Sequence, residues 1–314
     1  MRAAVVERYG PPEVVEVREV PDPSVQGKGR VLVRVRAAAV TSADGRIRGA
    51  RFPRGFGTLA RLAFGVRRPR RAVLGGVFSG VVEEVGPGVV GIAVGDEVCG
   101  MTGVRFGTHA ELVVARADRL VAKPAGVSHQ DAAGVLFGGT TALHYLRDRV
   151  RPGHRVLVNG ASGAIGTSAV QLARLAGGRV TGVCSGANAD LVRSLGAEDV
   201  VDHTTTPLAS LAGTYDVVLD TVGNIDIAAG RALLAPDGVL LLAVASLGQT
   251  VRARGDVVAG PSPEKPEYFA RLLDLVASGD LRVVVSRTMP LDDVAEAHRI
   301  VDTGRKVGNV VVTP

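Results

Sequence analysis

The sequence predicts an α/β protein: a β-rich domain coupled to a doubly wound parallel-sheet domain. Up to about residue 122, short alternating apolar and polar runs are punctuated by Gly and Pro. From Arg155 the texture becomes strand, Gly turn, helix, repeated, and the later strands are continuously apolar. A length of 314 residues suits two hydrophobic cores better than one.

Val31-Leu32-Val33-Arg34-Val35-Arg36-Ala37 alternates as a half-buried strand does. Val81 to Val85 reads as a strand stopped by the turn Gly86-Pro87-Gly88, and Asp96 to Gly100 and Ala110 to Val114 as two more. After Lys123-Pro124, Ser128-His129-Gln130-Asp131 caps a helix through Ala132 and Ala133, and Thr140 to Arg149 reads as a separate helix. Val156-Leu157-Val158 begins the parallel sheet and Ala164 to Ala176 is its first helix. Val180 to Val183 and the helix Asp190 to Leu195 follow, then the strands Val217 to Asp220 and Val239 to Leu242. Continuous apolar strands are what a sheet buried on both faces requires. Gly260-Pro261-Ser262-Pro263 marks a break. Beyond it lie a helix (Glu267 to Ala277), a strand (Arg282 to Val285), a helix (Leu291 to Val301) and a last strand (Val307 to Val312).

The longest apolar run, Val239 to Ala245, is far short of the ~18 residues of a membrane-spanning helix. Charge enters at Arg2, before any signal-like apolar stretch forms. Cys99 and Cys184 are too few for a four-thiolate zinc site and read as reduced, buried thiols, so a cytoplasmic protein is expected. Aromatics are only 4% with no Trp, which disfavours a base-stacking nucleic-acid surface. The net charge of +6 has one source: nine arginines and no acid between Arg46 and Arg71. The rest of the chain carries 28 cations against 31 anions. That segment is either a solvated basic loop or an anion-attracting rim.

The most informative stretch is Val156-Leu157-Val158-Asn159-Gly160-Ala161-Ser162-Gly163-Ala164-Ile165-Gly166. Gly160, Gly163 and Gly166 permit a tight turn, a close backbone approach to a pyrophosphate, and close packing of helix on sheet. The following helix would offer its free N–H groups to the phosphates. The turn follows a strand and opens a helix, the context that identifies a dinucleotide site. At the end of the second strand, Gly182 to Asn188 holds no acid to bind a ribose 2′-hydroxyl, while Ser185 and Asn188 are donors. NADPH is therefore the expected cofactor.

With these residues in view, the chain resembles the medium-chain dehydrogenase/reductases, specifically their zinc-free quinone oxidoreductase branch. The resemblance runs through Thr41-Ser42-Ala43-Asp44, Phe78 to Gly86, Val94 to Val98, Lys123 to Gly126, Gly139 to Ala142, the glycine turn through Ala173, and Tyr215 to Gly223. It implies a GroES-like catalytic domain from residues 1–122 and 261–314, with a Rossmann NADPH domain, 123–260, inserted. It also implies a homodimer. Metal-ligand positions of the zinc branch fall on Thr41, Gly76, Val77 and Phe137, none of which supplies thiolate, imidazole or carboxylate. The implied reaction is metal-free hydride transfer from NADPH to a quinone or an α,β-unsaturated carbonyl. The alternatives are an enoyl-thioester reductase and an NADPH-binding sensor or structural protein without turnover. The resemblance places Thr141 and Val244 to Ser246 beside the nicotinamide, Val222 along the cofactor, and Thr41 and Asp44 at the active-site mouth, where Asp44 either orients a water or a ring hydroxyl or, the favoured reading, caps a short helix after the strand. Phe52, Phe56 and Phe78 are expected as apolar walls. His203 stands where the family often has Tyr near the 2′-phosphate, and Arg305 and Lys306 are weaker phosphate candidates.

Overall fold

The computed structural model describes residues 1–211 and 215–314. In chain order its first part holds β1 (Arg2–Val5), β2 (Glu16–Glu19), β3 (Arg30–Val40), α1 (Ser42–Arg48), α2 (Gly57–Phe64), β4 (Val77–Val85), β5 (Glu97–Met101), β6 (Leu112–Arg116) and β7 (Leu120–Ala122). The middle holds α3 (His129–Leu146), β8 (Arg155–Asn159), α4 (Ala164–Leu175), β9 (Arg179–Cys184), α5 (Ala189–Ser194), β10 (Asp199–Asp202), β11 (Tyr215–Asp220), α6 (Ile227–Leu233), β12 (Leu234–Leu242), α7 (Leu247–Arg252) and β13 (Val257–Ala259). The last part holds α8 (Pro266–Ala277), β14 (Val285–Pro290), α9 (Val294–Asp302) and β15 (Asn309–Thr313).

The middle strands form a parallel sheet in the order β10-β9-β8-β11-β12-β13. In sequence terms this is 3-2-1-4-5-6, the doubly wound order whose ligand crevice opens between the first and fourth strands. Alternate residues serve opposite faces, as strand geometry dictates. Val156, Val158, Val217, Leu219 and Leu241 pack under α3, α4 and α8. Leu157, Val218, Leu240 and Leu242 pack against Ile225 and Leu233 on the other side. Each fully buried Leu or Val contributes about 1.5–3 kcal/mol, so both faces are anchored.

The second sheet runs β14-β15-β3-β4-β5-β7, with β6 also on β3. The chain end thus pairs with its beginning: Val310 lies opposite Val40 and Val312 opposite Ala38. The change of sheet comes later than the break at Gly260. Helix α8 packs its Phe269, Leu272 and Leu273 into the core shared with α3 and α4, and the chain rejoins the second, mostly antiparallel sheet only at Val285, where β14 runs parallel to β15.

Two separate helices were expected between Ser128 and Arg149, but α3 is continuous. Its Gly138 is a packing device rather than a break: a Cβ there would collide with the Ala164 carbonyl oxygen at the start of α4. Ser128 caps α3 by accepting from the Asp131 N–H at 3.0 Å. Cys99 and Cys184 are free and buried, and burial pushes the Cys99 thiol up to about 12.

A candidate cofactor cleft

The glycine turn sits where strand order reverses, and it is built from backbone. Gly160 has φ +82, and a side chain there would strike Thr221 Oγ1 at 2.5 Å. Gly163 is extended and caps α4; a Cβ there would meet only the Gly160 carbonyl oxygen, at 3.4 Å. The space beyond Gly163 is therefore left for a ligand at the α4 N-terminus. The turn faces the antiparallel half across a cleft of ≈ 140 Å³ lined by Thr41, Ser42, Phe137, Gly163, Ala164, Ile165, Thr221 and Lys306, among others. Gly308 N–H donates to the Ser162 carbonyl at 2.8 Å, tying the two halves at the turn.

These features fit a dinucleotide pyrophosphate. Lys306 brings the cation, and burial lowers its amine to about 8. Lys306, not the exposed Arg305, lines the cleft. The loop after β11 is fixed by Asp220. Its carboxylate accepts from the Val222 and Gly223 N–H groups at 3.0 and 3.1 Å and from Asn159 Nδ2 at 2.9 Å. Desolvation raises the Asp220 carboxyl above its ordinary value, against those hydrogen bonds. Val222 is thereby held exposed beside the turn.

At the end of β9, Asn188 Nδ2 lies 3.2 Å from both Ser162 Oγ and Ser185 Oγ, so three expected residues meet. His203 is exposed and follows β10, its N–H on the Cys184 carbonyl at 3.1 Å. Sequence reading missed Asp202. Its Oδ1 accepts from Thr204 N and Oγ1 at 2.9 and 2.7 Å, while Oδ2 stands where a Gly186 Cβ would lie, 2.5 Å away. An acid is thus present at the end of β9 after all, delivered by the neighbouring strand. Hydrogen bonds from Thr204 lead in holding its carboxyl below the ordinary value, so it remains charged.

At the opposite end, Thr141 is half-buried on α3, its hydroxyl on the Phe137 carbonyl at 2.9 Å. Val244 packs on Gly223, and Ser246 caps α7 in a reciprocal pair with Gln249. Phe52 stacks on Phe64 at 5.9 Å and faces Val244 and Ser246 across a second cavity. Phe56 sits at the start of α2.

One expectation needs correcting, and one open choice is decided. Phe78 lines no cleft: it is fully buried in the antiparallel core, because β4 turns that side inward. Asp44 is not free for chemistry. Its Oδ2 accepts from Thr41 N (2.8 Å) and Thr41 Oγ1 (2.6 Å), and its Oδ1 from Gly75 N (3.2 Å), forming the capping box of α1. The Thr41 hydroxyl proton is committed to that carboxylate, so Thr41 lines the cleft as an acceptor rather than a proton donor.

The zinc-branch positions carry Thr41, Gly76, Val77 and Phe137, and among the described residues no group of three or more His, Cys, Asp or Glu is placed to hold a metal.

Comparison with known proteins agrees with this architecture. Residues 27–125 match the alcohol dehydrogenase GroES-like domain and residues 195–312 the family described as zinc-binding dehydrogenase, a stretch containing none of those four positions. A quinone oxidoreductase of Pseudomonas aeruginosa is 30% identical over 98% of this chain and 97% of its own. A polyketide synthase protein of Streptomyces orinoci, NorB, is 35% identical, but the chain spans only 13% of its length. Among solved structures, the quinone oxidoreductase of Coxiella burnetii superposes with a TM-score of 0.90 at 27% identity, covering 100% of this chain and 99% of that one. A mycobacterial protein complexed with NADPH gives 0.82 at 28%, covering 100% of both. The chain belongs to the medium-chain dehydrogenase/reductase superfamily, in its quinone oxidoreductase-like branch.

Proposed function

We propose that the protein transfers hydride from NADPH to a quinone or another α,β-unsaturated carbonyl, without a metal. Family membership supports an oxidoreductase that uses a nicotinamide cofactor. The finer reading is supported chiefly by the glycine turn at the switch point, facing Thr41 and Phe137 where the zinc branch would place ligands. When bound, the cofactor supplies the hydride; with one proton from solvent, a quinone leaves as hydroquinone and NADP⁺ remains. The backbone from Gly160 to Gly166, with Lys306, holds the pyrophosphate. Ser185, Asn188 and His203 hold the adenosine end, and Thr141 and Val244 to Ser246 orient the nicotinamide. This wall supplies position rather than acid–base chemistry, since Thr41 and Asp44 satisfy one another. We infer a cytoplasmic homodimer from the family pattern; among the described residues no helix is long and apolar enough to cross a membrane.

The NorB match favours one second reading, an enoyl-thioester substrate. Stopped-flow oxidation of NADPH with a small quinone panel and a crotonyl thioester separates the two. Quinone-driven oxidation, undiminished after prolonged chelation, is expected. Thioester-only turnover, or a loss restored specifically by zinc, overturns the first reading.

A further inference from the structure

The arginine-rich segment is not uniformly solvated. Arg48 is fully buried, ion-paired with Asp302 and bonded to the Gly10 carbonyl. Arg51 reaches the same Asp302 at 2.5 Å. Arg61 and Arg70 donate to the Val66 and Leu62 carbonyls at 3.0 Å each. Arg46 differs. Among the described residues its guanidinium makes no hydrogen bond and no ion pair, although it is half-buried on α1 and desolvation alone lowers its pKa.

Arg46 lines the ≈ 450 Å³ cavity between the halves, together with Phe52, Arg54, Asn224, Val244 and Ser246. The loop carrying Phe52 and Arg54 is pinned across this opening: the Leu247 N–H donates to the Arg54 carbonyl at 2.9 Å. Gly55 permits the approach, with φ +89 and a position where a Cβ would come 2.8 Å from Leu247 Cβ. Arg54 is exposed and likewise without a side-chain partner among the described residues. The one acid on the cavity wall, Asp226, is exposed and caps α6 through the Ala229 N–H at 2.8 Å. A desolvated cation without a counter-charge is costly, and an anion entering the cavity would relieve that cost.

We propose that the hydride acceptor carries an anionic group, a carboxylate or its equivalent, and that Arg46, with Arg54 at the rim, forms the subsite that holds it. Phe52 supplies the apolar wall for the ring or chain beside that anion. The inference rests on the reading above that the acceptor enters between the halves beside Val244 and Ser246. It adds a charge requirement that this reading does not contain.

The test avoids turnover by using the NADP⁺-loaded protein and two probes of matched ring size, 2-naphthoate and neutral 2-naphthamide, titrated calorimetrically. The carboxylate should bind about tenfold more tightly, as a charge-assisted, partly desolvated pair requires. Arg46→Met should bring the two probes to within about twofold by weakening 2-naphthoate alone, and Arg46→Lys should restore part of the preference. The melting temperature of Arg46→Met should not fall, since its side chain bonds to nothing among the described residues. Equal affinities in the parent, no binding of 2-naphthoate at millimolar concentration, or a preference that survives Arg46→Met would overturn the proposal. A protein that keeps the carboxylate preference yet reduces no quinone would refute the activity proposed above and leave the subsite standing.

Discussion

The two walls of the cleft are made of different material. At the glycine turn the parallel-sheet wall is backbone: Gly160, Gly163 and Gly166 shape it, and main-chain N–H groups open at the start of α4. The antiparallel wall is side chain: Thr41 and Arg46 from α1, Phe52 from the loop after it, and Lys306 from near the chain end define it. A backbone wall recognises what all dinucleotides share. A side-chain wall can be rewritten residue by residue, and the subsite proposed above puts substrate choice there.

The sharpest test of this contrast lies within the glycine turn. Gly166→Ala would press its Cβ into the Gly160 carbonyl and to 2.7 Å from Ala161 Cα. It should cost about 3 kcal/mol of stability by urea unfolding. Gly163→Ala has room and an extended backbone, so its stability should change by less than ~0.5 kcal/mol. Its methyl group would nonetheless occupy the ligand's space, and NADPH fluorescence titration should show affinity falling about tenfold. Normal binding by Gly163→Ala would break the idea of a backbone-built wall.

The next largest effect concerns acid. His298 on α9 is fully buried beside Arg48, whose Nε lies 3.4 Å from His298 Nδ1, and it meets His109 edge-on at 5.8 Å; its Nε2 has no partner. Burial first, then the His109 and Arg48 charges, holds its pKa well below the ordinary value. The folded protein keeps the ring neutral, while the unfolded chain binds a proton below pH ~6.5. This contribution is therefore full above that pH and lost as pH falls, by up to ~1.4 kcal/mol per unit. Melting temperatures between pH 7.5 and 5.5 should drop in the parent and drop less in His298→Leu. Parallel slopes would place the acid sensitivity elsewhere.

Smaller effects concern the end of β9, where the adenosine is proposed to lie. Asp202→Asn removes the charge beside Gly186 and should raise the NADPH-to-NADH affinity ratio about threefold, the scale of an exposed charge interaction. An unchanged ratio would mean that the 2′-position lies away from this strand end. His203→Gln should weaken NADPH about twofold and leave NADH unaffected; equal effects on both would remove His203 from the 2′-phosphate.

What could be read beforehand follows the same division. The glycine spacing is legible because Gly160 and Gly166 answer steric demands of the backbone itself, while Gly163 keeps the α4 N-terminus open. The Thr41-x-x-Asp44 capping box is also local, and it outweighed a chemical role for Asp44 once Gly75 took the remaining oxygen. Asp202 was illegible because its position matters only after β10 pairs with β9 and sets Asp202 opposite Cys184. The interior place of Phe78 depends on the orientation of β4, and that of Gly138 on the approach of α4. The arginine run stands out in the sequence, but that Arg48 and Arg51 are paired and Arg46 is not depends on Asp302, some 250 residues away along the chain.

The pairing of β15 with β3, and the bond from Gly308 to Ser162, also govern when the cleft can come into being. Ribosomes deliver a chain from its first residue onward, and domains tend to fold as they emerge. Here the parallel sheet is complete once Ala259 is out, but the central strand β3 lacks β15 at one edge until residues 309–313 follow. Lys306 and the clasp at Ser162 arrive in the same late stretch. A nascent chain therefore carries a finished nucleotide-binding sheet before it has the opposing wall. A cofactor held between both walls, as proposed above, has to await the residues up to Gly308.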